Sequence, residues 1–275
     1  MTPEKTTMVP EGTTRAFGWR VYGVGMMALA VVALVWKDFD LGQPVPRAFP
    51  HRTALAYAAD VFMLIAAAAV GLPSSRWHRA RAWGAAALTA YYALIVVILM
   101  NGRLLLTGYS EYGTYDGIAE QLALAAGALA VYATAGRGRR GGVNLESGLS
   151  ARLTRLGQLA FGVCALIFGG AHFVYMNLTA PLVPKWLPPS QVFWGYATGV
   201  AFIAAGLALL TGVQARLAAI LLTVMLAIFG LLANGPVLLA DHASHFNWAE
   251  SALNLTLVGA AWVVADSLAQ PNPRD

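Results

Sequence analysis

The sequence predicts an all-α polytopic membrane protein with about eight transmembrane helices, arranged as two parallel four-helix repeats. Three observations carry this expectation. The 275 residues are 58% hydrophobic and only 11% charged, where a soluble domain carries roughly 25% charged residues. The apolar residues fall into runs of about 20, the length a helix needs to cross a bilayer. Short features also recur in the same order in the two halves of the chain.

The elements follow in order. Spans are expected at 17–36, 54–72, 82–101, 117–135, 154–175, 190–211, 215–233 and 248–267, each rich in Ala, Leu, Val, Ile and Gly. Residues 1–16 form a polar tail whose mixed charges are unlike a signal peptide. Spans one to four make a unit over 17–136, and spans five to eight a second over 153–267. Between them, 137–152 carries Arg137, Arg139 and Arg140 among glycines and reads as a flexible basic linker. Residues 268–275 form a C-terminal tail.

The net charge of +5 does not imply nucleic acid, because the basic residues sit in short loops and not on one amphipathic face. That pattern sets membrane orientation. Arg20, Arg76, Arg79, Arg81, Arg152, Arg155 and Arg216, with the linker arginines, lie on the side of the N-terminus. Only Lys37, Arg47, Arg52, Arg103 and Lys185 lie on the other. Both termini are therefore expected on the cytoplasmic side, in a bacterial inner membrane. The outer face then collects Asp38, Asp40, Glu111, Asp116, Asp241, His51, His242 and His245.

The internal repeat is read from paired features. Val45-Pro46-Arg47-Ala48-Phe49-Pro50 is echoed by Val183-Pro184-Lys185-Trp186-Leu187-Pro188. Ala80-Arg81 and Ala215-Arg216 open the third and seventh spans, and Asn101-Gly102 and Asn234-Gly235 close them. Ala119-Glu120 and Ala249-Glu250 enter the fourth and eighth. An even number of spans per half gives both halves the same orientation, with an axis along the membrane normal.

The second half, from Gly157 to Ala265, resembles the DoxX-like family of four-helix membrane proteins. The resemblance rests on Gly169-Gly170-Ala171-His172-Phe173, on Leu182 to Pro188, on Gly199, on Ala205 to Leu210, and on Ala215 to Ala219. The first half keeps only the outline, with Trp36-Lys37 in place of His172-Phe173 and Asp60 in place of Thr198. The resemblance implies a four-helix fold for each half and an association with quinone-linked redox chemistry. The loss of the histidine from the first half points to the second as the one with a working site.

Ionisable residues at membrane depth are costly and mark polar sites. His172, near the end of the fifth span, suits hydrogen-bond donation to a quinone carbonyl, or metal or haem ligation; the alternative is a bond to a loop carbonyl. His242 and His245 are three apart and would share a helix face; with Asp241 and Glu250 they make the densest cluster. Glu120 and Glu250 are expected at helix entrances, where the dipole favours a carboxylate, or as proton acceptors opening into a cavity. Asn254, one turn deeper than Glu250, is expected either to line that cavity or to bond to a neighbouring helix. Asp60, about two turns inside the second span, must be neutral or partnered, by Lys37, Arg103, Tyr91 or Tyr92. Lys185 and Trp186 lie between prolines, with Trp194 nearby among the interfacial aromatics.

Several chemistries are excluded. Cys164 is the single cysteine, so neither a disulfide nor a Cys-x-x-Cys pair exists within the chain. There is no phosphate-binding glycine loop, nucleophile elbow or zinc-protease motif. No paired histidines in facing spans announce a two-haem cytochrome. Three functions remain: a redox-associated subunit binding a quinone or other lipid-soluble molecule, an accessory subunit docking on partner membrane or redox subunits through Gly25, Gly127, Gly169, Gly170 and Gly206, and a small-solute transporter.

Overall fold

The computed structural model describes residues 16–72, 78–135 and 145–269. The N-terminal tail to residue 15, Arg76, the linker arginines and the end of the C-terminal tail lie outside the described residues. Among the described residues eight helices are long and apolar enough to cross a membrane: α1 Gly18–Trp36, α2 Arg52–Gly71, α3 Arg79–Gly108, α4 Tyr112–Ala135, α5 Ser147–Val174, α6 Gln191–Thr211, α7 Ala215–Ala240 and α8 His245–Leu268.

Their ends have local causes. Lys37 takes a left-handed backbone (φ 58°) and ends α1; Gly212 does the same after α6 (φ 85°). Ser190 and Ser244 cap α6 and α8, their hydroxyls accepting from the amides of Phe193 (3.1 Å) and Asn247 (3.3 Å). Two caps come from distant chain. Asp266 accepts from the first amides of α1, Phe17 (2.9 Å) and Gly18 (2.8 Å). Arg155 donates to the last carbonyls of α6, Leu209 (2.9 Å) and Leu210 (2.8 Å).

Four expected boundaries are corrected. α5 begins at Ser147, so the end of the expected linker is helix. Its first turns are pinned to α4 by the Ser150 hydroxyl, which donates to the Ala133 carbonyl (2.7 Å). α4 begins at Tyr112, five residues before its expected start. Asn101-Gly102 and Asn234-Gly235 do not end their spans. Both follow a π-helical stretch, Tyr91–Asn101 in α3 and Gly230–Asn234 in α7, after which the helix runs on. The Asn101 amide donates to the Val96 carbonyl (3.0 Å), which helps carry the chain through the wider turn.

Each helix packs on the next along the chain, and α8 returns to pack on α1. α4 and α8 also touch each other. Burial confirms that these two are central: 61% of the apolar window of α4 and 67% of that of α8 lie inside the protein, against 22% for α7. Small residues let the central helices approach. A Cβ on Gly25 would lie 2.6 Å from Thr256 Cα, and one on Gly127 would lie 2.7 Å from Ala260 and 2.9 Å from the Tyr22 ring. The Tyr22 hydroxyl, buried at this junction, donates to the Leu124 carbonyl (2.8 Å). Gly169 and Gly206 are likewise closed off by α6 and α5, and Gly170 by the Tyr112 hydroxyl. The glycines expected to receive partner helices are thus used within the chain.

Candidate functional site

The even-numbered helices all begin at one end of the bundle, and the acidic residues gather there. Glu120 on α4 and Glu250 on α8 line one cavity of about 290 Å³, together with Asp40 and Gly42 of the α1–α2 loop and Asn101 and Leu104 of α3. Gly117, Phe246 and Leu253 complete much of the apolar wall. No lysine, arginine or histidine is among the lining residues. The site therefore presents three carboxyl groups with no basic side chain among the described lining residues.

Helix boundaries change the meaning of the two glutamates. α4 starts at Tyr112 and α8 at His245, so neither Glu120 nor Glu250 lies in a first turn. A helix dipole acts mainly on the first turn, and it does not account for carboxylates this far in. Their setting is the cavity between the two central helices.

The loop wall is built by specific bonds. Asn101 donates to the Gly42 carbonyl (3.0 Å), tying the α1–α2 loop to α3. Arg52 pairs with Asp38, and its guanidinium also donates to the Val45 carbonyl (3.2 Å). Asp40 is buried, 5% exposed. Burial pushes its carboxyl up to about 6, with the backbone amides of Gly42 and Leu41 acting the other way.

Two polar side chains on α2 and α4 have no exposure. Both oxygens of Asp60 and both amide atoms of Gln121 lack a hydrogen-bond partner among the described residues. The expected partners of Asp60 are not made. Lys37 and Arg103 are exposed. The Tyr91 hydroxyl donates instead to Gln43 Oε1 (2.9 Å), and that of Tyr92 faces the sulfur of Met63 (3.8 Å). Asp60 stays within electrostatic range of Asp40 and Tyr91. The Gln121 amide presses against Gly42 where only a residue without Cβ fits.

The other expected site residues lie elsewhere. His172 has its Nδ1 2.9 Å from the Phe168 carbonyl, within an aromatic surround of Phe202 and Phe229. A carbonyl only accepts, so Nδ1 carries a proton and donates in this contact. The carbonyl that holds Nδ1 belongs to the preceding turn of α5 itself, and not to a loop. His242 sits in the turn before α8 and not on the helix, so it shares no helix face with His245; its carbonyl accepts from Trp248 (2.9 Å). His245 stacks on Trp36 (5.1 Å, 11°) with a buried, unpartnered Nε2. Among the described residues no three His, Cys, Asp or Glu side chains gather as a metal site. Asn254 does not line the acidic cavity; its oxygen occupies the space beside Gly230 at the π-helical stretch of α7. Lys185 and Trp186 line a second, more open cavity of about 400 Å³ against α7. Trp194 donates to the Pro188 carbonyl (2.9 Å), bracing that loop.

Sequence reasoning found Glu120, Glu250 and Asp60 but missed Asp40, Gln43, Asn101 and Gln121. Gln121 was findable, as an uncharged polar residue inside an apolar run. The acidic cavity takes most of its wall from the first half plus α8, and not from the second half alone.

A protein family described as a domain of unknown function (DUF8561) matches residues 161–265. No curated protein and no solved structure matches the chain.

Proposed function

We propose that this chain is a multi-pass protein of the bacterial cytoplasmic membrane, with both termini inside, built from two parallel DoxX-like four-helix repeats. Its function is to bind a lipid-soluble small molecule in the acidic cavity at the outer end. The repeat reading is supported by the packing: α1 on α8 mirrors α5 on α4, the π-helical stretches fall in the third helix of each half, and α4 meets α8 in the middle. The family match over 161–265 covers most of the second repeat and supports its being a unit. Arg20, Arg81, Arg155 and Arg216 all lie near the opposite end, which supports the orientation.

The observation that carries the ligand reading is that carboxylates from both halves face one apolar-walled cavity without a basic residue. Such a site prefers a ligand head that donates hydrogen bonds. Within the quinone class this is the dihydroxy, quinol form, and not the quinone, whose carbonyls only accept. As a redox-associated subunit the protein would present the quinol to an electron-accepting partner in the membrane.

The test is binding of a short-chain quinol and of the matching quinone to the purified protein in nanodiscs. The quinol is expected to bind more tightly, and Glu120→Gln with Glu250→Gln to weaken it by about tenfold or more, the scale of one or two charged hydrogen bonds. Equal affinity for both forms, unchanged in the double variant, would overturn the assignment. A second reading, transport of a small cationic solute, is favoured by the same unneutralised carboxylates; tight binding of an organic ammonium ion with no quinol binding would select it.

A further inference from the structure

Asp60 is a buried acid with no hydrogen-bond partner among the described residues. It lies on α2 two turns from the end where the cavity opens, has no exposed surface, and neither oxygen has a partner. An isolated carboxylate in such a setting costs several kcal/mol, so an empty site must hold the acid in its neutral form or neutralise it with a bound cation. The groups around it are acids and neutral polar residues. The α1–α2 loop contributes Asp38, already paired with Arg52, and Asp40. α3 contributes Tyr91, bound to Gln43, and Tyr92. Beyond Asp40, α4 contributes Glu120, and beyond Tyr92, α1 contributes Tyr22.

Asp40 belongs to both sets: it lines the acidic cavity and stands within electrostatic range of Asp60. Gln121, also buried and unpartnered, lies against the same loop at Gly42. The loop from Asp40 to Gln43 thus touches both the cavity, which Asp40 and Gly42 line, and the helices that carry the two side chains: Gln43 Nε2 meets the sulfur of Met63, three residues after Asp60 on α2 (3.4 Å), and Gly42 meets Gln121. Carboxylates draw protons to their rim, and a fixed acid within range of it has nothing else to neutralise it.

We propose that Asp60 is an exchangeable proton site, loaded from the acidic cavity past Asp40. The reaction is a simple transfer: a proton from solvent joins an Asp60 oxygen, and the same O–H bond breaks on release. The proposal does not depend on the quinol reading, since it needs no ligand in the cavity.

The experiment uses full-length protein in nanodiscs without added ligand. A hydrophobic carbodiimide reacts with protonated carboxyls, and mass spectrometry locates the adduct; infrared spectroscopy follows the carbonyl stretch of the protonated acid. Asp60 is expected to be labelled, the labelling to fall as pH rises, and the infrared band to shift in deuterated buffer and vanish in Asp60→Asn. Asp40→Asn is expected to slow the deuterium shift while keeping the band. Thermal unfolding of each variant reports whether it is folded. A band that neither exchanges nor responds to pH would overturn the proposal, as would exchange unaffected by Asp40→Asn. Labelling abolished by sodium at constant pH would replace the proton with a metal cation and equally overturn it.

Discussion

Asp40 shows how one buried residue ties the fold to pH. Its carboxyl is raised from 3.8 to about 6 by burial, so the folded chain holds that proton more tightly than the unfolded one. The associated stability is fully present below the unfolded value and is lost as pH rises through about 6, a contribution of roughly 3 kcal/mol. The difference in unfolding free energy between wild type and Asp40→Asn in detergent is expected to change by about that amount between pH values of about 4 and 7. Parallel curves for the two proteins would contradict it. At this scale the sequence was partly legible. Glu120, Glu250 and Asp60 stand out because charge is rare in apolar runs. Asp40 does not, because it lies in a polar loop whose burial depends on the Asn101–Gly42 bond, a contact between residues 59 positions apart.

Among elements, the contact of α1 with α8 is the most exacting. Gly25 meets the backbone of Thr256 so closely that any side chain must force the helices apart. Gly25→Val is expected to cost about 1–3 kcal/mol or more by overpacking. By contrast Gly148, with none of the described residues near its missing Cβ, should gain a few tenths of a kcal/mol when changed to Ala in the first turn of α5. Thermal unfolding of both variants checks the contrast, and equal effects would refute it. The eight helices were legible because length and hydropathy alone define them. Their ends were less so. Asn-Gly reads as a stop signal, yet in α3 and α7 a π-helical stretch lets the chain pass it, and that depends on packing rather than on local preference. The early start of α4, invisible in the hydropathy, is fixed from outside: Gly113 donates its amide to the Tyr175 hydroxyl (2.8 Å), and the Tyr112 hydroxyl donates to the Ile167 carbonyl (2.8 Å).

For the whole molecule, the paired sequence features did not foretell how the two halves of the chain interlock. The last helix of each half packs on the first helix of the other. The contact of α4 with α8 places Glu120 and Glu250 in one shared cavity. The second half was expected to hold the working site because the first lacks a counterpart of His172, and that comparison carries no information on how α4 and α8 meet.

The cap that Asp266 places on the first turn of α1 has a topological consequence. With α8 returning to α1, the helices form an uninterrupted circuit, and the order in which the chain enters it is arbitrary to the packing. A circular permutant, its old ends bridged by a glycine-serine segment and new ends opened at Gly212-Val213, should insert, fold and melt close to wild type. Failure of that permutant to fold, with the bridge alone tolerated, would show that the order of synthesis matters more than the closed circuit.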